Sequence, residues 1–211
     1  MALQYAIQLS DVIQTKIVVF HCYQVSLNTI TGAASEEQMD ELIKKDMEVT
    51  LQDLQTQVKN AYKELGINTV PSTTSIGVEL NPLVVEKTIE VATKHHADVI
   101  VMGTHGAAGL NKVFFGSNTS AMISKSDIPV LAIPENYIFQ KIETIALSSD
   151  LEDPEDELSR MMPFVNAIGA RLDIVHLDYG LDPFNGKEQR VIKLMEKNTY
   201  RKIRLMKQSR F

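Results

Sequence analysis

The sequence has little of several features that would point to particular classes of protein. Its 211 residues include one cysteine, Cys22, and no tryptophan, so a disulfide framework is excluded and a reducing cytoplasm is expected. No apolar run approaches the ~20 residues of a membrane-spanning helix, and the amphipathic start lacks the apolar centre of a signal peptide. The net charge of −6 argues against binding to nucleic acid, because the chain as a whole does not attract phosphate backbones.

A glycine-rich segment follows a predicted buried strand at 98–102. It carries Gly103, Gly106 and Gly109, and a helical pattern begins at Ser117. A glycine-rich turn before a helix N-terminus offers a phosphate close backbone approach, free N–H groups and partial positive charge. The candidate ligand-binding residues in this segment are Met102, Gly103, His105, Gly106, Gly116, Ser117, Asn118 and Thr119.

For the phosphates themselves, the expected contacts are N–H groups of Gly106 and residues 117–119, with hydroxyl groups of Ser117 and Thr119 added. The alternative is a tight strand-to-helix turn in which the glycines only satisfy backbone geometry and Ser117 caps the helix. His105 either contacts a phosphate or is a solvated turn residue. The second glycine cluster favours phosphate binding, because a cap needs only one polar residue.

Short apolar strands alternate with helical patterns along the chain. The pattern predicts helices over 3–12, 35–66, 81–96 and 117–126, and strands over 16–23, 73–78, 98–102, 129–133 and 142–148. Pro82 is expected in the first turn of its helix. This alternation predicts an α/β fold with a doubly wound parallel sheet, helices on both faces, and ligands at the carboxyl ends of the strands.

The pattern of the chain starts again after Pro134. A shift of 155 residues places 3–22 on 158–177 without a gap, with Ile13 on Ile168 and His21 on His176. This predicts a tandem pair: a domain over 1–137 that lacks its first strand, and the front half of a second domain over 138–211. A truncated gene, a frameshift or a fragment would give such a chain. The two histidines are expected in the core or at strand ends.

The run MGTHGAAGLNKVFFGSNTSAMISKSDIPVLAIP closely resembles the signature of universal stress proteins. Gly103, Gly106, Gly116 and Ser117 fill the family spacing Gly-x2-Gly-x9-Gly-Ser/Thr. The resemblance implies a Rossmann-like fold and, as in many members, ATP or another adenine nucleotide as ligand. It also implies a homodimer or an intramolecular pseudo-dimer that pairs through the edge strand 129–133.

In ATP-binding members of that family, the adenine is recognised by an aspartate after the first strand and by the backbone of the second strand. These positions match Asp150, in the second copy, and Cys22, in the first. The resemblance also places the missing first strand in the middle of the sheet. We therefore hypothesise that strand 142–148, from the same chain or a neighbour, fills that place and carries Asp150 towards the phosphate loop. If each copy folds only on itself, the site is incomplete and there is no nucleotide ligand.

Three functions follow from these observations. The leading prediction is a cytoplasmic nucleotide-binding module for stress response or signalling, with no catalytic residues and no metal. The second is a module of the same fold that has lost its ligand and acts in dimerisation. The third is an enzyme of a related nucleotide-using α/β class, such as an adenylating synthetase. No Ser–His–Asp, Cys–His or Walker spacing is present to support the third.

Overall fold

The computed structural model describes residues 1–24, 35–104, 116–178, 187–197 and 203–209. These residues form two compact units, Met1–Phe139 and Gln140–Phe211, which we call unit 1 and unit 2. The assignment of the units as one incomplete family domain and half of a second remains a prediction. Most of the glycine loop, including His105 and Gly106, lies outside the described residues.

Unit 1 alternates helices and strands as the sequence predicts. Its elements are α1 (Ala2–Ile13), β1 (Ile17–Tyr23), α2 (Glu36–Glu64), β2 (Thr74–Leu80), α3 (Val84–Lys94), β3 (Ile100–Gly103), α4 (Ser117–Lys125) and β4 (Val130–Ile133). The strand predicted from 98 begins two residues later, at Ile100. Helices α1 and α2 pack over β1 and β2 through a buried cluster that includes Ile7, Val58 and Tyr62.

The strands of unit 1 pair in two separate parallel ladders. β1 pairs with β2, from Ile17 opposite Thr74 to Tyr23 opposite Leu80. β3 pairs with β4, from Ile100 opposite Val130 to Gly103 opposite Ile133. Among the described strands, no strand joins the two ladders. The α/β character and the parallel pairing are therefore as predicted, but the described strands of unit 1 do not form one continuous sheet.

The helix ends follow from local sequence, with one correction. Ser35 caps α2 through its hydroxyl, which accepts from the N–H of Gln38 at 3.3 Å, and Gly66 follows the helix with φ 80°. α3 was predicted to begin at Asn81-Pro82 but begins at Val84. The side chain of Asn81 accepts from the N–H of Leu83 at 2.9 Å, and this turn precedes the helix, so Pro82 lies outside its first turn.

Unit 2 contains a three-stranded parallel sheet in the order β5 (Thr144–Ser148), β6 (Arg171–Asp178), β7 (Ile203–Ser209). Helices α5 (Pro154–Ile168) and α6 (Lys187–Lys197) contribute to its core. α5 begins with Asp153 as N-cap and Pro154 in the first turn. The core has a fully buried centre, formed by Leu151, Val165, Leu172, Ile174 and Val191.

β5 pairs with β6 within unit 2. Insertion of strand 142–148 into the first sheet, from the same chain or a neighbour, stays a hypothesis. One expectation from the sequence is corrected on β1. The side chain of His21, on a strand that reads as buried, is exposed and stacks on Tyr23 with ring centroids 5.9 Å apart.

Candidate functional site

A cavity of about 500 Å³ lies in unit 1 where the carboxyl end of β1 meets the N-termini of α3 and α4. Helix α3 packs against both β1 and α4, which brings these elements together. Small-molecule sites in proteins commonly measure ~300–1,000 Å³. The cavity is lined by Gln24, Pro82, Leu83, Val84, Val85, Glu86, Asn118 and Lys125.

The first turn of α4 offers backbone donors at this cavity. The first N–H groups of a helix have no partner within the helix. In the described part of the chain, the structure gives no acceptor to the N–H groups of Ser117, Asn118 and Thr119, and the helical bonds begin with the N–H of Ser120 to the carbonyl of Gly116 at 2.9 Å. Three adjacent amides are thus available to an anion, and the partial positive charge of the helix end favours it.

Two groups of the candidate segment take part in bonds within the fold, and one of them, the Thr119 hydroxyl, was predicted to bind phosphate. The N–H of Gly116 donates to the carbonyl of Thr104 at 2.7 Å. The hydroxyl of Thr119, a residue only 3% exposed, donates to the carbonyl of Gly103 at 2.9 Å. Gly116, and not Ser117, is the N-cap of α4. These bonds tie the start of α4 to the end of β3, so the Thr119 hydroxyl and the Gly116 amide hold the other donors in position.

The backbone of Cys22 faces away from β2. The N–H of Ile17 donates to the carbonyl of Thr73, and the carbonyl of Tyr23 accepts from the N–H of Asn81. Because the backbone groups of successive strand residues point to opposite edges, those of Cys22 point to the other edge of β1. The N–H and C=O of Cys22 therefore do not take part in the pairing with β2.

The thiol of Cys22 is not poised for chemistry. It lies within 3.6 Å of the carbonyl of Asn81, to which it donates. Burial raises the pKa of the Cys22 thiol, and the nearby charge of Glu79 raises it further. Lys87 is held by Glu79 at 2.8 Å and by Glu90 at 2.9 Å, so its ammonium group is already paired. The thiol therefore stays protonated near neutral pH and is a poor nucleophile.

Comparison with known proteins identifies the family of the chain. Residues 1–134 match the universal stress protein family. The chain belongs to this family. It is 31% identical over 118 residues to universal stress protein MJ0531 and 26% identical over 93 residues to universal stress protein MJ0577, both of Methanocaldococcus jannaschii. These matches cover 54% and 40% of this chain, and 64% and 57% of the two relatives, so each spans less than two thirds of the relative's length.

A solved universal stress protein shares the fold. The crystal structure of a universal stress protein from Archaeoglobus fulgidus aligns with 99% of this chain and 73% of its own, with a TM-score of 0.59 and 18% identity. At this identity the likeness establishes the α/β Rossmann-like fold and nothing about ligands. None of the helices in the described residues is long and apolar enough to cross a membrane.

The structure places the remaining predicted residues of this universal stress protein as follows. Met102 and Gly103 lie at the carboxyl end of β3, and both are partly buried. Asp150 lies in unit 2 directly after β5, where its carboxylate accepts from the N–H of Glu152 at 2.9 Å. In the described part of the chain, no three His, Cys, Asp or Glu side chains are grouped closely enough to hold a metal ion.

Sequence reasoning missed three residues at the cavity: Gln24, Glu86 and Lys125. Gln24 directly follows β1, so its position at a carboxyl strand end was a usable signal. Its amide donates to the carbonyl of Pro82 at 3.0 Å. Glu86 and Lys125 form an ion pair between α3 and α4, which lowers the pKa of the Glu86 carboxyl. No local pattern predicts that pair, because it depends on how two helices pack.

Proposed function

We propose that this universal stress protein binds an adenine nucleotide in unit 1 and acts as a stress-response binding or signalling module. The observation that carries the proposal is the set of three adjacent α4 amides without internal acceptors, of which that of Asn118 belongs to a residue lining a cavity that Gln24, just after β1, also lines. A single helix end contributes only ~0.3–1 kcal/mol per exposed anion. Several converging N–H groups are therefore needed, and this arrangement offers them.

Each part of the site has a distinct role in this proposal. The N–H groups of Ser117, Asn118 and Thr119 hold the phosphates, with the Ser117 hydroxyl as a further donor. The backbone edge of Cys22 that faces away from β2 contacts the adenine. The bound nucleotide supplies negative charge at the helix end and a flat ring at the strand end.

The same chain is proposed to form a dimer in the cytoplasm through β4. This strand pairs with β3 on one edge, and within the described residues no strand occupies its other edge. An unpaired edge strand is a ready template for pairing with another copy. If the nucleotide is not bound, this scaffold role is the second candidate function.

A substitution that removes one amide tests the nucleotide site. Ser117 is the first residue of α4, where proline is well tolerated, and Gly116 before it has the extended ψ of 158° that a following proline requires. ATP at millimolar concentration is expected to raise the melting temperature of the full chain. Ser117→Pro should abolish that shift, whereas the matched control Ser117→Ala keeps the N–H and should retain most of it.

The same measurements distinguish the alternatives. A stable dimer whose melting temperature does not change with ATP would contradict the nucleotide site and favour the scaffold. Steady release of ADP or pyrophosphate that is lost in Ser117→Pro would contradict the absence of turnover. Equal shifts for the wild type and Ser117→Pro would show that ATP binds elsewhere.

A further inference from the structure

Two charged residues line the cavity of unit 1, and they are paired with each other. Among the described residues that line it, only Glu86, in the first turn of α3, and Lys125, in the last turn of α4, carry charged side chains. The Nζ of Lys125 lies 2.5 Å from Oε1 of Glu86, and each side chain is about half exposed. The cavity therefore presents an acid and a base whose charges cancel.

The place of the Glu86 carboxylate is one that an anionic group of a ligand could also take. The carboxylate lies at the start of α3, where the partial positive charge of the helix favours an anion. Lys125 lowers the pKa of the Glu86 carboxyl most, and the backbone N–H of Glu86 itself lowers it further. An ammonium group and a backbone amide are also the donors that bind a phosphate. Glu86 is therefore an internal anion at the wall of the cavity.

The cavity connects Lys125 with the amides at the start of α4. Asn118 and Lys125 both line it, and their positions differ by seven residues, which is about two helical turns and ~10 Å along the axis. They therefore lie on the same face of α4. Side chains on a helix lean towards its N-terminus, which directs Lys125 back towards residues 117–119. A phosphate chain that begins at those amides can thus extend towards the ammonium group of Lys125.

The ion pair can exchange one partner at little cost. An exposed pair gains little from its charges, because water screens them and two long side chains lose freedom in holding one geometry. A terminal phosphate carries more negative charge than a carboxylate and has three acceptor oxygens, so it competes well with Glu86 for Lys125. Lys87, on the same helix as Glu86, differs: two carboxylates, those of Glu79 and Glu90, hold it away from the lining of the cavity.

We propose that Lys125 is a specificity-determining residue of this site, because the terminal phosphate of a nucleoside triphosphate replaces the Glu86 carboxylate as its partner. Glu86 is then an internal competitor, and a nucleoside monophosphate, whose single phosphate is held by the amides of α4, does not displace it. The site therefore prefers a nucleotide with a long phosphate chain. This inference rests on the proposed function and deepens it, since it concerns the same cavity.

Titration calorimetry of the full chain with ATP and with AMP tests the role of Lys125. Lys125→Gln should weaken ATP binding at least fivefold and change AMP binding by less than twofold. Glu86→Gln removes the competitor and should tighten ATP binding at least threefold. Lys94→Gln is the matched control, because it removes the same charge from an exposed residue in the last turn of α3, at the opposite end from Glu86. It should change neither affinity by more than twofold.

A double variant, Glu86→Gln with Lys125→Gln, separates direct contact from neutralisation of charge. If Lys125 only cancelled the charge of Glu86, removing both charges would restore the wild-type affinity, because the pair has no net charge in either protein. If Lys125 binds the terminal phosphate, the double variant should bind ATP at least threefold more weakly than the wild type and should bind AMP equally well. Wild-type affinity for ATP in the double variant would overturn the inference.

A carbon-13 NMR titration of the Glu86 carboxyl gives a test on the wild type. Saturation with ATP should raise the pKa of Glu86, because Lys125 leaves and a phosphate lies nearby, whereas AMP should leave it low. An unchanged pKa with ATP bound would overturn the inference. ATP binding that is lost in Ser117→Pro but unaffected by Lys125→Gln would overturn this inference and leave the nucleotide site standing. Absence of ATP binding to both the wild type and Glu86→Gln would overturn both.

Discussion

The two units bury the same local pattern to different extents. In unit 2, β6 lies between β5 and β7, and its residues Leu172 and Ile174 are 0% and 1% exposed. The corresponding residues of unit 1, Ile17 and Val19, lie on a strand with one described partner and are only partly buried. The neighbours of a strand, and not its own residues, thus decide how deeply its side chains are buried.

The largest expected effect compares two matched truncations. Leu172→Ala removes a fully buried side chain and should lower the free energy of unfolding of unit 2 by about 2–5 kcal/mol. Ile17→Ala, at the matching position, should cost clearly less, because part of its side chain already contacts water. Urea unfolding followed by circular dichroism would measure both. Equal losses would mean that Ile17 is as deeply buried in solution as Leu172, through contacts with a segment outside the described residues.

A second comparison concerns the ends of α1 and α5. Gln14 and Gly169 occupy matching positions after these helices, and both have left-handed backbone, with φ of 52° and 71°. This conformation costs a non-glycine residue roughly 1 kcal/mol. Gly169→Gln should therefore destabilise unit 2 by about 1 kcal/mol, and Gln14→Gly should stabilise unit 1 by somewhat less, since glycine also gains freedom in the unfolded chain.

The melting temperatures of Gly169→Gln and Gln14→Gly, measured by thermal unfolding, check this expectation. Gln14→Ala serves as the control, because alanine removes the side chain but keeps the strain of the left-handed backbone. If Gln14→Gly and Gln14→Ala changed stability equally, the backbone would not be the cause.

The smallest effect is a pH dependence centred on Asp173 in unit 2. Arg171, at 2.9 Å, and Arg204, at 2.7 Å, hold the pKa of the Asp173 carboxyl below its usual range. A depressed pKa stabilises the folded state above the unfolded value of ~3.9, and this contribution is lost as pH falls through the lower folded value. Stability should therefore decline below about pH 4.

Asp173→Asn should remove that part of the pH dependence. High salt should weaken the dependence in the wild type, since both arginines are about half exposed. Unit 1 has no such strand-centred cluster at the matching position, which is Val18. An identical acid profile for Asp173→Asn and the wild type would show that the three charges do not contribute measurably.

Much of the site could be predicted from residues close in sequence. The start of α4 near Ser117 follows from the glycine and the small polar residues around it, and Asp153 and Ser35 were recognisable as caps because capping is a local property. The Thr119 hydroxyl was predicted to bind phosphate but donates to the carbonyl of Gly103. That acceptor belongs to the preceding strand end, and no spacing rule reveals the contact.

The order of strands and helices in unit 1, their parallel pairing and the membership of a known family followed from the amino-acid pattern, whereas β7 of unit 2 did not. Each of the predicted features depends on periodicity and on short motifs, which are properties of neighbouring residues. The separation of β1 from β3 agrees with the expected absence of the central first strand, whereas the cavity lined by α3 and α4 did not follow from the sequence. The cavity arises when distant segments pack, because the elements that line it lie far apart in the chain.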